Sequence, residues 1–377
     1  MKIIFILFLC FLVHPAWAQG QVESDTSKGP LIIERLFDTA DKMVDLLSGK
    51  SWTFIPALTY SPETSLGVGV RALKIFRHAE ISVTRPSTLP ITLLYTFNKQ
   101  LIITTGLDLW MNENSDFFNG QVEFSDYPFR FYGIGNDLVN QREEFYATRY
   151  AHLQLLYQKR IAPGIYFGPQ YELRLDDIYK MEAGGILDSG NVPGREGQRI
   201  SGLGLKLSFD TRNNIFQPEK GSFHQAGFMS YQSFLGSNYN FNQYQLDLRK
   251  YRKVYKQQVL AVQAWYSSTT GHPPFQQLSM MGGSDLMRGY FEGRYRDRHA
   301  MVYQAEYRMP VYRKLGLVFF GSAGQVSEKI SSYAFKRFRY GGGMGFRYML
   351  TDDGLNIRLD IAFGDQTAFY LGLNEVI

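Results

Sequence analysis

From Trp52 onward, apolar and polar residues alternate with a period of two. Leu355, Ile357, Leu359, Ile361 and Phe363 fall on one face, and Asn356, Arg358 and Asp360 on the other. The same split sets Leu203, Leu205, Leu207 and Phe209 against Gly204, Lys206, Ser208 and Asp210. It recurs in Met301, Tyr303, Ala305 and Tyr307 against Gln304, Glu306 and Arg308. It appears again in Phe338, Tyr340, Met344, Phe346 and Tyr348 against Arg337, Arg339, three glycines and Arg347. Such alternation marks strands with one apolar and one polar face. The pattern predicts strands near 52–60, 65–77, 89–98, 101–111, 117–126, 144–160, 163–179, 200–209, 222–234, 238–251, 256–268, 300–311, 315–325, 335–349, 355–363 and 368–376. One such strand would fit a soluble sandwich equally well. About sixteen in succession, each covering the ~9–11 residues a tilted strand needs to cross a bilayer, predict an all-β transmembrane antiparallel barrel.

Connection lengths support this. If both ends of the barrel lie in the periplasm, the eleventh and twelfth strands join outside the cell, and their connection, Thr269 to His299, is the longest in the chain. Turns such as Ala162-Pro163-Gly164 and Thr351-Asp352-Asp353 fall on the periplasmic side and are short, as in barrels generally. The connection around Pro86 breaks the rule, being long and periplasmic by parity.

The chain start changes register. Lys2, an apolar run from Ile3 to Val13, and Ala16-Trp17-Ala18 read as a signal peptide over 1–18, too short to span a bilayer as a helix. The single cysteine, Cys10, lies within it, so no disulfide framework is expected downstream. Residues 19–51 form a periplasmic lead-in. Within it Ile33, Leu36, Phe37, Ala40, Met43, Val44 and Leu47 recur at helical spacing, predicting one short amphipathic helix that ends near Gly49. Packing of that helix on the barrel rim is favoured over a membrane-surface or partner-binding role.

Composition agrees: 25 Tyr, 29 Phe and 36 Gly against 14 Pro. A formal charge of +5 is too mild to argue for nucleic acid. An enzyme is not expected. Gly-x-Ser-x-Gly is absent, with Phe320 standing where its first glycine belongs near Ser322. His78, His152, His224, His272 and His299 lack metal-ligand spacing, so no metal is expected. Gly341-Gly342-Gly343 sits in a strand with no following helix, which argues against a dinucleotide cofactor and for tight curvature or room for an infolded loop.

Inside the longest connection lies Met281-Gly282-Gly283-Ser284-Asp285-Leu286-Met287-Arg288-Gly289-Tyr290. This resembles the loop motif of the BamA/TamA outer-membrane assembly and translocation barrels, the bacterial surface antigen superfamily. In that family a glycine pair precedes an Arg-Gly-aromatic tip. Asp210-Thr211-Arg212-Asn213-Asn214 with Pro218 and Gly221 resembles the family's turn between strands eight and nine. Tyr132-Gly133-Ile134-Gly135-Asn136 and Glu306-Tyr307-Arg308 with Pro310 resemble two further segments, in the same order along the chain. The resemblance implies that the loop folds into the lumen and that Arg288 meets carboxylates on the wall. Asp360 and Glu306 are the candidates, with Asp210 and Asp247 ranked below them. Gly289 would admit close backbone approach, and Tyr290 would stack over the pair.

Three departures stand out. The strand after the loop often carries Phe-x-Asp-x-Gly in the family; here it reads Phe320-Gly321-Ser322-Ala323-Gly324, which shifts the expected partner of Arg288 towards Asp360. The last residue is Ile377 where an aromatic is common. Residues 19–51 are too few for a POTRA module, given the ~50 residues of a small domain. The resemblance implies a place in the cell outer membrane among its lipids. It also implies a role in outer-membrane protein insertion or translocation through the seam or lumen, with unfolded outer-membrane proteins or a periplasmic chain as partners. A passive or gated porin-like channel is the alternative.

Overall fold

The computed structural model describes residues 52–76, 84–137, 143–350 and 354–377. The expected signal peptide 1–18, the lead-in 19–51 with its helix, and His78 lie outside the described residues. The strands are β1 (Thr53–Ser61), β2 (Ser65–Phe76), β3 (Ser87–Thr96), β4 (Leu101–Met111), β5 (Asp116–Phe131), β6 (Glu144–Ala162), β7 (Ile165–Met181), β8 (Gly197–Asp210) and β9 (Gly221–Tyr231). There follow β10 (Phe241–Tyr255), β11 (Gln258–Gly271), β12 (Ser279–Met281), β13 (Tyr295–Asp297), β14 (His299–Tyr312), β15 (Leu315–Ser327), β16 (Arg339–Met349), β17 (Asn356–Phe363) and β18 (Thr367–Leu373). Sixteen of them close an antiparallel barrel in which chain neighbours pair and β11 meets β14 across the long connection. β12 and β13 pair only with each other, as a small ribbon inside that connection.

The period-two pattern sets the two faces of the wall. Leu203, Leu205 and Leu207 point outward, 49, 48 and 44% exposed, while Ser208 turns inward and donates to Gln158 of β6 over the inner face of β7. A closed antiparallel wall leaves few backbone groups unpaired, and an apolar exterior over a polar interior suits a bilayer.

Wall height varies around the barrel. β6 and β7 run 19 and 17 residues, whereas β17, β18 and β1 run 8, 7 and 9. At ~3.3 Å per residue and ~40° of tilt, β6 rises about 48 Å and β18 only about 18 Å.

That low sector contains the seam. β1 pairs with β2 along its whole length, from Thr53↔Leu73 to Ser61↔Ser65, and β17 pairs with β18 from Ile357↔Leu373 to Phe363↔Thr367. Between β1 and β18, among the described residues, the register is one pair, Tyr60↔Leu371. The sequence predicted the last strand to run to 376. Instead β18 stops at Leu373, and Asn374 turns the chain at φ 65. The remaining residues enter the lumen, where Val376 and Ile377 pack on Tyr251 and Ala261.

Two other expectations change. The fourteenth barrel strand, expected from 335, begins at Arg339, because 330–338 form two 3-10 turns outside the ladder. The long connection around Pro86 has a use at the tail end of the barrel. Its Arg85 reaches Asp210 on β8 at 2.6 Å and lies 4.8 Å from the Trp110 ring centroid. This connection is thus tied to the opposite wall.

Candidate functional site

The long connection folds into the lumen as a clamped loop. Met281↔Tyr295 ends the β12–β13 ribbon, and beyond it the Gly282 N–H donates to Leu286 O and the Gly283 N–H to Tyr290 O. A Cβ on Gly282 would lie 2.4 Å from Phe291 O, so only glycine permits this crossing. Met287, 0% exposed, takes a left-handed φ of 70 and is held there by its N–H bond to Gln304. For a non-glycine residue this costs on the order of 1–3 kcal/mol. The strained residue directly precedes Arg288.

Arg288 lies between the two carboxylates singled out from the sequence. Its Nη1 donates to Asp360 Oδ2 and its Nη2 to Glu306 Oε1, both at 2.5 Å. The contacts do not stop there. Glu306 also accepts from Arg308 at 2.9 Å, and Arg308 lies 3.7 Å from Glu375. Glu375 accepts from Arg347 at 2.8 Å, and Arg347 returns to Asp360 at 2.5 Å. Three arginines and three carboxylates alternate in a closed ring whose side chains are all 7% exposed or less. Equal numbers of opposite charges, with both oxygens of every carboxylate engaged, let such a group stay ionised away from bulk water. The remaining oxygen of Glu375 accepts from Asn356 at 3.0 Å.

The ring joins three parts of the chain: the loop through Arg288, the wall through β14, β16 and β17, and the inward tail through Glu375. Arg308 adds to this by donating to Ile377 O at 2.5 Å and to Pro218 O at 3.4 Å, the latter in the β8–β9 turn. Glu375 was not singled out from the sequence, where it reads as a residue of a terminal strand. Its one signal was odd parity between apolar Leu373 and Ile377.

Room for the ring comes from the inward glycines of β16. A Cβ on Gly345 would stand 1.9 Å from Asp360 Oδ1, and one on Gly341 2.9 Å from Arg288 O. Gly289, at φ 96, lies against the β17–β18 turn; its N–H donates to the Tyr370 hydroxyl at 3.0 Å and its carbonyl accepts from Gln366 N–H at 3.2 Å. Tyr290 does not stack on Arg288 as the sequence suggested. The Phe320 ring does, 3.5 Å from centroid to guanidinium carbon, while the Tyr290 hydroxyl donates to Tyr340 O at 2.8 Å. Phe320 comes from the strand that lacks the family's carboxylate. The tyrosine is drawn aside by a backbone acceptor.

The other candidates have separate roles. Asp247 accepts from Arg249 and Gln263. Asp210 accepts from Arg85 and from the Nε and Nη2 of Arg212, and Gly221 at φ 106 closes the turn where a Cβ would be 2.2 Å from Thr211 O. At the loop end, the buried Glu63 of the β1–β2 turn accepts from the Glu292 N–H at 2.8 Å. Burial raises its carboxyl above the usual range, more than that bond lowers it. Among the described residues no three His, Cys, Asp or Glu side chains are placed to hold a metal.

The lumen is therefore obstructed at both ends, by the loop on one side and by tail and turns on the other. Between them remains a cavity of about 310 Å³ lined by polar side chains that include Gln154, Glu172, Lys206 and Gln245. Planar-bilayer recording should accordingly show small, unstable conductance; large steady steps would mean that the loop and tail do not stay seated.

Comparison with known proteins places this geometry. The family model described as the Omp85 superfamily domain matches residues 79–374. BamA from Haemophilus ducreyi lacking POTRA domains 1–3 superposes with a TM-score of 0.60 at 11% identity, over 87% of this chain and 70% of that one. CdiB from Acinetobacter baumannii gives 0.56 at 9%, and CdiB from Escherichia coli 0.55 at 8%. Each covers 87% of this chain, which spans 60 and 63% of theirs, under two thirds of their length. At these identities the superpositions show a shared fold. No curated protein matches the chain by sequence.

Proposed function

The chain belongs to the Omp85 superfamily, and on that footing we propose that it assists insertion or translocation of outer-membrane proteins through its β1–β18 seam. The observation that carries this reading is the seam itself, registered at Tyr60↔Leu371 alone among the described residues. In hydrocarbon an unpaired backbone N–H or C=O costs several kcal/mol, so an edge such as β1 favours a partner strand. An unfolded barrel protein offers such strands, and addition to an edge uses main-chain bonds that are indifferent to client sequence. The low wall at β17, β18 and β1 supports the same reading: strands rising about 18–23 Å, set against a hydrocarbon core of ~30 Å, thin the bilayer where a client would enter.

In this reading the barrel sits in the outer membrane with the loop end outside and the tail end in the periplasm. It performs no covalent chemistry, and a partner chain brings clients to the seam. The second reading is a gated channel, favoured by the polar lumen and opposed by its obstruction. A disulfide between Tyr60→Cys and Leu371→Cys tests the first. Oxidation should abolish insertion of a barrel client into liposomes, and reductant should restore it. Full activity of the locked barrel would exclude the seam route.

A further inference from the structure

Gln325 is wholly buried, yet it lies on the outward face of β15, in line with Phe319, Gly321 and Ala323. What covers it is the β15–β16 connection. The Gln325 amide donates to Ser332 O at 3.4 Å and its carbonyl accepts from Ala334 N–H at 3.3 Å, while Ser327 Oγ donates to Lys329 O at 2.7 Å. These bonds hold residues 328–334 against the outside of the wall, while Arg337 O accepts from Asn136 Nδ2 of the β5–β6 connection at 3.2 Å.

Once folded outward, the connection extends the apolar exterior. Tyr303, Ala323 and Tyr340 form one register row across β14, β15 and β16. Phe338 stacks on Tyr303 and Phe335 on Phe338, each pair with centroids 6.3 Å apart. The rings thus continue from the wall onto the connection, where Phe335 is 89% and Ile330 63% exposed. Soluble surfaces rarely leave such rings in water, whereas barrels gather aromatics at the membrane boundary. Lys329 and Lys336 flank them with no carboxylate partner among the described residues; Arg337 is engaged by Asp137 at 3.0 Å, and Glu328 is the one opposing charge within the connection.

We propose that this connection is a membrane-seating element, with Phe335 and Ile330 in the acyl–headgroup boundary of the outer leaflet and Lys329 and Lys336 on anionic headgroup phosphates. The ligand class is a phosphate-bearing lipid surface. The inference rests on the reading of the barrel as an outer-membrane protein with its loop end outside.

A nitroxide on Ala334→Cys, in the full barrel reconstituted into vesicles, reports this directly, with one on Met344→Cys, outward on the wall, as reference. Collision with oxygen should exceed collision with a water-soluble nickel complex several-fold at 334, and more so in lipid A vesicles than in phosphatidylcholine. Adding Phe335→Ser should return the label to water. Adding Lys329→Gln with Lys336→Gln should remove the difference between the two lipids. A label at 334 that meets only the nickel complex, while 344 meets oxygen, would overturn the proposal and leave the surface to a soluble partner. Equal depth in both lipids would overturn the lysine contact with anionic headgroups. Water at both positions would instead overturn the membrane reading on which the inference rests.

Discussion

Arg288→Ala is expected to destabilise the barrel by about 3–5 kcal/mol, the usual loss when one member of a buried ion pair is removed. The reason lies in what remains. Glu306 keeps Arg308 and Asp360 keeps Arg347, but each loses its 2.5 Å contact, and the ring is left with net negative charge in a site closed to solvent. The Phe320 face also loses its cation, worth about 0.5–2 kcal/mol. Urea unfolding in detergent, read by tryptophan fluorescence and by heat-modifiable gel mobility, gives the value. Arg288→Lys should recover less than half, since an ammonium cannot fork between two carboxylates on different strands. Wild-type midpoints for Arg288→Ala would mean that the loop is not seated in solution. A double-mutant cycle with Asp360→Asn should show strong coupling, because the two residues share one contact.

Gly345→Ala should do comparable damage from the wall side, about 2–4 kcal/mol, combining overpacking with partial loss of the ring. The new methyl would fall 1.9 Å from Asp360 Oδ1 and 2.9 Å from Leu359 O, so the carboxylate must leave its place and the backbone offers no relief. Gly321→Ala is the matched control: it is an exterior glycine whose nearest neighbour would be Gly341 O at 3.9 Å, and it should be near neutral. The same unfolding assay separates them. Equal stability of the two variants would contradict the packing of β16 against the ring.

The residues that could be read ahead of the structure share a physical property. The barrel strands were legible because each is long enough for period-two alternation to repeat, and because the medium outside and the water inside impose opposite demands on adjacent residues. Arg288, Glu306 and Asp360 were legible through a motif and through strand parity, which puts Gln304, Glu306 and Arg308 of β14 and Asn356, Arg358 and Asp360 of β17 on the lumen side. The misses come from short or aperiodic chain. β12 and β13 have three residues each, too few to show a period. Glu375 puts a charge on the outward parity of β18, which marks a break, but nothing in the local sequence announces that Asn374 turns the chain into the lumen. The choice of Phe320 over Tyr290 as the cover for Arg288 depends on where three separate strands meet.

Stiffness is unevenly distributed as a result. All six charges of the ring lie between residues 288 and 375, so β14, β16 and β17, together with the loop and tail, are cross-braced as one block. β1 and β2 place no charge in that ring and meet the loop through the Glu63–Glu292 bond at their turn, and the wall from β5 to β11 surrounds the remaining cavity. The seam therefore divides a braced side from an unbraced one. On the insertion reading proposed above, parting of the seam would leave β18 with its block and let β1 swing, with the first strand as the moving jaw and the last as the fixed one.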